Sequence, residues 1–517
     1  MRQPRHLLSA LLLLALSTTV ADAQRTRSLR ATDLGTTPSV GAQKIHPQMR
    51  RLLADRGPSK AWVFFRDKDR SGGHLRSALA AVEDSLSPRQ LARRSARRTL
   101  EGLVDHHDLP VSERYVRAVQ ASGADVVVRT SWLNAVSVQA SAGELEQIAL
   151  LPFVDRIEPV RRGVLVDGLE NETVSFTTRA TPGAGFYGNS HDQLDQINLP
   201  RVHQRGYTGE GVVIGVLDTG FHLGHEAFNQ PGHEVDVLAQ YDFVDDDGNA
   251  GIEAGDFSSQ HSHGTYILGV LAAYLPGSLV GGAYDASFVL AKTEDVSNEY
   301  QQEEDFYVAG LQFLEANGAD LATSSLGYID WYTQSDLDGL TATTTIAVNL
   351  ATANGMHCLT AAGNSGHDGN PSTSHLIAPS DAFQVITCGA VDTNGNIAGF
   401  SSDGPSADGR VKPELLATGV STWTVCSFTD VNCLTQVNGT SLSTPILAAA
   451  VGCLVQAHPD WAPGKMRTRL FASGDDFLAN GTHDANFVRG YGIPDMERAG
   501  FRRPVHELAR RTLSVVD

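Results

Sequence analysis

Residues 211–220 read Gly211-Val212-Val213-Ile214-Gly215-Val216-Leu217-Asp218-Thr219-Gly220. An apolar run of this length, without polar alternation and closed by an acid and a glycine, predicts a strand at 212–217 that is buried on both faces. The same texture returns at 288–292, 357–361 and 385–390, with helical stretches at 303–317 and 341–354 between them. Such strands separated by helices predict an α/β fold, with a mostly parallel sheet covered by helices on both faces. In open sheets of this kind, sites form beyond the carboxyl ends of the strands. The residues at those ends therefore carry the functional question.

Upstream, residues 163–186 are rich in Gly, Thr, Ser and Asn and lack periodicity, which predicts a linker. Before it, 59–162 alternates short strands (61–65, 124–131, 135–139, 154–159) with helical stretches, one polar and arginine-rich and others at 115–122 and 142–150. The order β-α-α-β-β-α-β predicts a small α+β domain. Residues 24–58 are polar and read as irregular. At the N-terminus, Arg2 and Arg5 precede an apolar run at 7–16, and Ala21-Asp22-Ala23 offers a small-x-small cleavage site. That pattern predicts a signal peptide at 1–23 and a secreted protein, the run being too short to span a bilayer. No later stretch reads as long and apolar enough to span either. The remainder, 187–517, is the larger α/β domain.

Charge changes sign at the linker. Residues 1–162 hold 25 Lys+Arg and 16 Asp+Glu, a net of +9, whereas 163–517 hold 15 and 43, a net of −28. Only Lys292, Lys412 and Lys465 supply lysine to the second part. An acidic surface of this size repels nucleic acid and anionic membranes, so neither is expected as a partner. It also suits a salt-rich medium, where self-repulsion is screened. The two halves attract each other electrostatically. The cluster Arg93-Arg94-Ser95-Ala96-Arg97-Arg98 reads as the solvated face of a helix.

Four strand or helix ends carry groups that could act together. Asp218 closes the first strand. His261-Ser262-His263-Gly264-Thr265 opens an apolar helical run at 266–273. Thr360-Ala361-Ala362-Gly363-Asn364-Ser365-Gly366 ends a buried strand, and Gly439-Thr440-Ser441-Leu442-Ser443-Thr444-Pro445 leads into a small-residue helix at 446–455. Each alone is ordinary: a turn acid, a polar cap, a turn amide, an N-cap. Together they supply a nucleophile at a helix N-terminus, a base, an orienting acid and an amide donor, which is the set that acyl transfer needs. The chain order Asp, His, Ser is one of the known orders for such a triad.

On these motifs the sequence resembles the subtilisin-like serine peptidases, the subtilases. Supporting segments are Tyr207-Thr208-Gly209-Glu210-Gly211, Phe400-Ser401-Ser402-Asp403-Gly404-Pro405, Asp408-Gly409-Arg410-Val411-Lys412-Pro413 and Gly490-Tyr491-Gly492-Ile493. The resemblance implies a serine endopeptidase with Ser441 as nucleophile, His263 as general base and Asp218 as its orienting acid. It also implies that Asn364 shares the oxyanion with the Ser441 backbone N–H. Ser325, Leu326 and Gly327 would pair with extended substrate, the polypeptide partner. Ala362 and Gly363 would line the first pocket and leave room for a sizeable apolar side chain, its floor falling within 371–379. The 59–162 domain resembles the family's inhibitory prodomain, an intramolecular partner, with the maturation cut in 163–186. The chain is read as a monomer.

His261 is expected to be exposed in a polar loop and outside the triad. No cofactor is expected for the chemistry and no metal ligands are assigned. The acidic loops Asp245-Asp246-Asp247 and Asp475-Asp476 are compatible with structural calcium. Cys426 and Cys433 flank a polar turn and are the best disulfide candidates. Cys358 and Cys388 either face each other or remain buried thiols, and Cys453 belongs to the core. The sequon Asn438-Gly439-Thr440 lies beside the nucleophile and is read as fortuitous. A catalytically silent binding protein on the same fold is the competing reading. An esterase is disfavoured because Gly439-Thr440-Ser441-Leu442-Ser443 is not a Gly-x-Ser-x-Gly elbow.

Overall fold

The computed structural model describes residues 44–161, 164–165, 185–297, 303–329, 332–427 and 431–502. The expected signal peptide at 1–23 and most of the expected linker lie outside the described residues. The N-terminal domain is a four-stranded antiparallel sheet of β1 (Ser59–Phe65), β2 (Asp125–Thr130), β3 (Ala135–Ala140) and β4 (Val154–Pro159), in the order β2-β3-β1-β4. Val63 stands opposite Val136 on one side and Ile157 on the other.

The C-terminal domain is built on seven parallel strands. They are β6 (Val213–Asp218), β7 (Asp236–Asp242), β8 (Ser287–Lys292), β9 (Leu321–Ser324), β11 (His357–Ala361), β12 (Ile386–Val391) and β13 (Leu415–Thr418), in the order β13-β12-β11-β9-β6-β8-β7. Two short strands, β5 (Val164–Leu165) and β10 (Leu326–Gly327), form a separate antiparallel pair.

Both faces of the parallel sheet are covered, which is why its strands lack polar alternation. From β6, Ile214 and Val216 enter a core shared with helices α2 (Ser262–Ala272) and α5 (Thr440–Ala457). Val213 and Leu217 point the other way, toward α3 (Glu304–Ala316) and α4 (Thr343–Ala353). Helix α5 is long and apolar enough to cross a membrane, against the expectation from sequence, but 89% of it is buried inside the protein. It is the central core helix of the domain. Edge strand β7 is partly exposed and mixes Asp236, Gln240 and Asp242 with apolar residues, so no long apolar run announces it.

The N-terminal sheet has two working faces. Val63, Val136, Val138 and Ile157 form that domain's own core. Trp62, Phe64 and Trp132 face the other way and join the core under α3 and α4. Each fully buried side chain of this kind stabilises the contact by roughly 1.5–3 kcal/mol.

Three further expectations change here. Residues 47–56, read as irregular, form a helix, and Ile45 and Met49 are buried in the N-terminal core. The polar helical stretch after β1 is two helices, Gly72–Ser85 and α1 (Pro88–Arg97), divided by a Ser87–Gln90 capping box with Pro88 at the first helical position. The arginine cluster is buried, not solvated. Arg93 and Arg94 pair with Glu315 of α3, Arg97 pairs with Asp320, and Arg98 donates to Asn354 at 2.9 Å. A short polar helix hides its charge this way only when a second surface supplies the counter-ions.

Candidate active site

Three neighbouring strands of the parallel sheet bring their carboxyl ends together. Asp218 ends β6, Ser325 follows β9, and Ala362-Gly363-Asn364 follow β11. His263 lies in the first turn of α2. Its Nδ1 donates to Asp218 Oδ1 at 2.7 Å, and the same oxygen accepts from the Thr219 backbone N–H at 2.8 Å. Because a carboxylate only accepts, Nδ1 carries the proton and Nε2 is left as the basic nitrogen. Gly264 permits this approach: a Cβ there would collide with the Gly220 carbonyl oxygen and crowd Asp218.

Ser441 begins α5. Gly439 precedes the helix at φ 144°, in backbone space that favours glycine. The two serines of the site hold each other: Ser325 Oγ donates to the Ser441 carbonyl oxygen at 2.8 Å, and Ser441 Oγ donates to the Ser325 carbonyl oxygen at 3.3 Å. Asn364 Oδ1 accepts from the Thr440 backbone N–H at 3.0 Å and from Thr440 Oγ1 at 2.9 Å. Since a backbone N–H is only a donor, the atom facing it is the amide oxygen. The amide nitrogen is therefore turned to the Gly439 side, beside the start of α5.

The segment expected to meet substrate is already paired with a strand of this chain. β5, just beyond the N-terminal domain, runs antiparallel to β10, with Leu165 opposite Leu326 and Val164 opposite Gly327. Chain occupies the edge at the very residues singled out for extended peptide.

The first pocket differs from its expected form. Ala378 and Tyr328 exchange two backbone hydrogen bonds, 2.9 and 3.1 Å. This sets the preceding Ile377 beside Gly327. A Cβ on Gly327 would collide with Ile377 Cδ1, and one on Gly363 would lie 3.4 Å from Ile377 Cγ2. The expected room for a sizeable side chain is thus taken by Ile377, which is only 5% exposed.

His261 is also corrected: it is 5% exposed, its Nε2 donating to the Gly251 carbonyl at 2.9 Å and lying 3.2 Å from Asp256. Burial lowers its pKa. Its role is to tie the 251–256 loop to the start of α2. Gln260 and Glu294 escaped the sequence reading. Gln260 Nε2 donates to the Thr219 and Glu294 carbonyls at 2.7 and 2.6 Å. The Glu294 carboxyl, pushed up by burial, accepts from Tyr328 at 2.5 Å. Nothing local in sequence marks either residue, because their partners lie on other strands.

The acidic loops are neutralised from within. Lys292 Nζ lies 2.6 Å from Asp242, 3.1 Å from Asp245 and 3.3 Å from Asp256, which puts an ammonium among the carboxylates that a divalent ion would use. Arg489 pairs with Asp476 at 2.7 Å, and Asp475 Oδ1 accepts backbone N–H groups from Asp476 and Ile493. Lys292 and Arg489 would compete with a divalent ion for these carboxylates, although Asp242, Asp245 and Glu253 place ligand oxygens within 4.8 Å of one another. Cys426 and Cys433 form a disulfide, and Cys358, Cys388 and Cys453 are buried thiols.

The subtilase family matches residues 209–492, and the peptidase S8 propeptide domain of Bacteroidota matches 60–172. Subtilisin E of Bacillus subtilis (strain 168) is 30% identical over 308 residues, covering 59% of this chain and 70% of its own. An alkaline protease of Shouchella clausii is 27% identical over 339 residues, covering 65% and 72%. Among solved structures, fervidolysin from Fervidobacterium pennivorans, a keratinolytic enzyme related to subtilisin, aligns with a TM-score of 0.58 at 20% identity. That alignment covers 86% of this chain and 60% of fervidolysin, and it speaks to fold alone.

Proposed function

This chain belongs to the subtilase family of serine endopeptidases and carries a propeptide domain, and from that premise we propose that Ser441, His263 and Asp218 are its catalytic residues and that its N-terminal domain keeps it silent until cleavage. His263 Nε2 takes the Ser441 hydroxyl proton as Oγ attacks the scissile carbonyl carbon. The resulting oxyanion receives hydrogen bonds from the Ser441 backbone N–H and the Asn364 amide. Collapse breaks the C–N bond, and the His263 imidazolium protonates the departing amine. Water, deprotonated by the same nitrogen, then attacks the acyl-enzyme and frees the carboxyl product and Ser441. Asp218 stays ionised throughout and stabilises the charged imidazole. Nucleophile, base, acid and oxyanion donors all come from the chain, so the chemistry needs no cofactor.

The single observation that carries the reading is the fixed His263 Nδ1–Asp218 contact at a strand end beside the Asn364–Thr440–Ser441 turn. The β5–β10 pairing supports self-inhibition, because a peptide edge already filled by the chain's own backbone is closed to other substrates. The charge contrast between the two parts and the pattern at 1–23 support a secreted zymogen. Casein hydrolysis by the processed protein tests the proposal. Activity that vanishes with a phosphonylating inhibitor and in Ser441→Ala is the expected result; activity that survives either treatment overturns it.

A further inference from the structure

The walls of the first pocket are glycines and small residues, yet the space between them is not open. Gly327 and Gly363 belong to separate strand ends, and a Cβ on either one would meet the same side chain, Ile377. The backbone of the next residue, Ala378, is joined to Tyr328 by two hydrogen bonds, which hold the Ile377 main chain beside Gly327. Ile377 is β-branched, with restricted rotamers, and its neighbours Leu376 and Ala378 are fully buried. A branched C4 side chain thus stands where a deep slot would otherwise run between the two glycines.

We propose that Ile377 is a specificity-determining residue that shortens the first pocket and restricts cleavage to bonds that follow small side chains, namely Ala, Ser, Thr or Val. This rests on the proposed function, since it names the substrate class of that same site. The small walls keep their purpose: they let a substrate backbone lie close to β10, while the isoleucine floor stops aromatic and long aliphatic side chains. An overfilled apolar pocket imposes repulsion as well as lost contact, so discrimination can exceed what one methylene supplies in a pocket with space left over.

The test compares kcat/KM of the processed enzyme on two peptide anilides identical except for Ala or Phe before the scissile bond. The wild type is expected to favour Ala by at least about tenfold. Ile377→Ala and Ile377→Gly are expected to move the Phe/Ala ratio upward by about tenfold or more. A wild type that prefers Phe overturns the inference, as does a ratio unmoved in both variants. Should neither variant fold, the cleavage-site profile of the wild type on a denatured protein mixture decides: small residues before the cut support the inference, and large apolar ones overturn it. Labelling of Ser441 by a fluorophosphonate is measured in parallel. A labelled, active enzyme with the wrong preference sinks only this inference, whereas absence of labelling and hydrolysis sinks the proposed function instead.

Discussion

Around Ser441 the polar groups are few and are held largely by backbone: Asn364 by the Thr440 N–H, Ser441 by the Ser325 carbonyl, Asp218 by the Thr219 N–H. Where the N-terminal domain meets α3, charge is buried in quantity. Arg93 and Arg94 converge on Glu315, Arg97 on Asp320 and Lys60 on Asp305, while Trp62 donates to Glu304 at 3.0 Å. The first arrangement keeps its hydrogen bonds whether or not a partner is present. The second is stable only while both sides are in place, because a buried ion deprived of its counter-ion is costly. On the proposed function, the chemistry rests on strand ends, and the inhibition rests on charge that water can reclaim.

The largest effect that could break this comparison is at the nucleophile. Ser441→Ala should lower kcat on a peptide anilide by about 10⁶-fold. A small loss would remove Ser441 from the chemistry. Next comes the oxyanion donor: Asn364→Leu should lower kcat by about 10²–10³-fold with little change in KM. A change confined to KM would make Asn364 a binding residue only.

The charged seam sharpens the other side. In Arg93→Ala, Glu315 loses a buried partner, and the cleaved N-terminal domain should be held about 10²-fold more weakly. Dilution of the processed protein, followed by the onset of activity, measures this. Unchanged retention would mean that the apolar contacts of Trp62 and Phe64 carry the association alone.

A pH effect is the smallest of the four. Burial, chiefly, raises the Glu304 carboxyl to about 7 from its ordinary 4.5. A carboxyl whose pKa is higher in the complex favours the complex at low pH, and that advantage is lost as pH climbs from about 4.5 to about 7. Glu315, paired with two arginines, is shifted downward, so its contribution changes only below that window. Retention should therefore weaken by up to about 70-fold between pH 5 and pH 8, read by the same dilution assay, and Glu304→Gln should flatten the profile. Retention that strengthens with rising pH would contradict the assignment.

The same contrast explains what could be read from sequence. β6, β8, β11 and β12 are apolar runs because both their faces are buried, and Asp218, Asn364 and Ser441 sit in short motifs at strand and helix ends. Local strings were enough to place them there. The arginines of α1 look solvated because their partners, Glu315 and Asp320, lie more than two hundred residues away. Ile377 escaped for the same reason: its position between Gly327 and Gly363 exists only once three strand ends are brought together. His261 is expected from sequence to be exposed, and Lys292 draws no reading of its own, because acidic loops conceal which charge neutralises which.

The most direct test of a nucleophile held in check by its own N-terminal domain is the intact mass of the expressed full chain, wild type beside Ser441→Ala. The account predicts that the wild type resolves into a cleaved N-terminal fragment and an active mature enzyme that takes up one fluorophosphonate at Ser441. Ser441→Ala should remain a single uncut chain without label or activity. A variant that is cut at the same place by its own action, or that hydrolyses peptide as fast as the wild type, would contradict it.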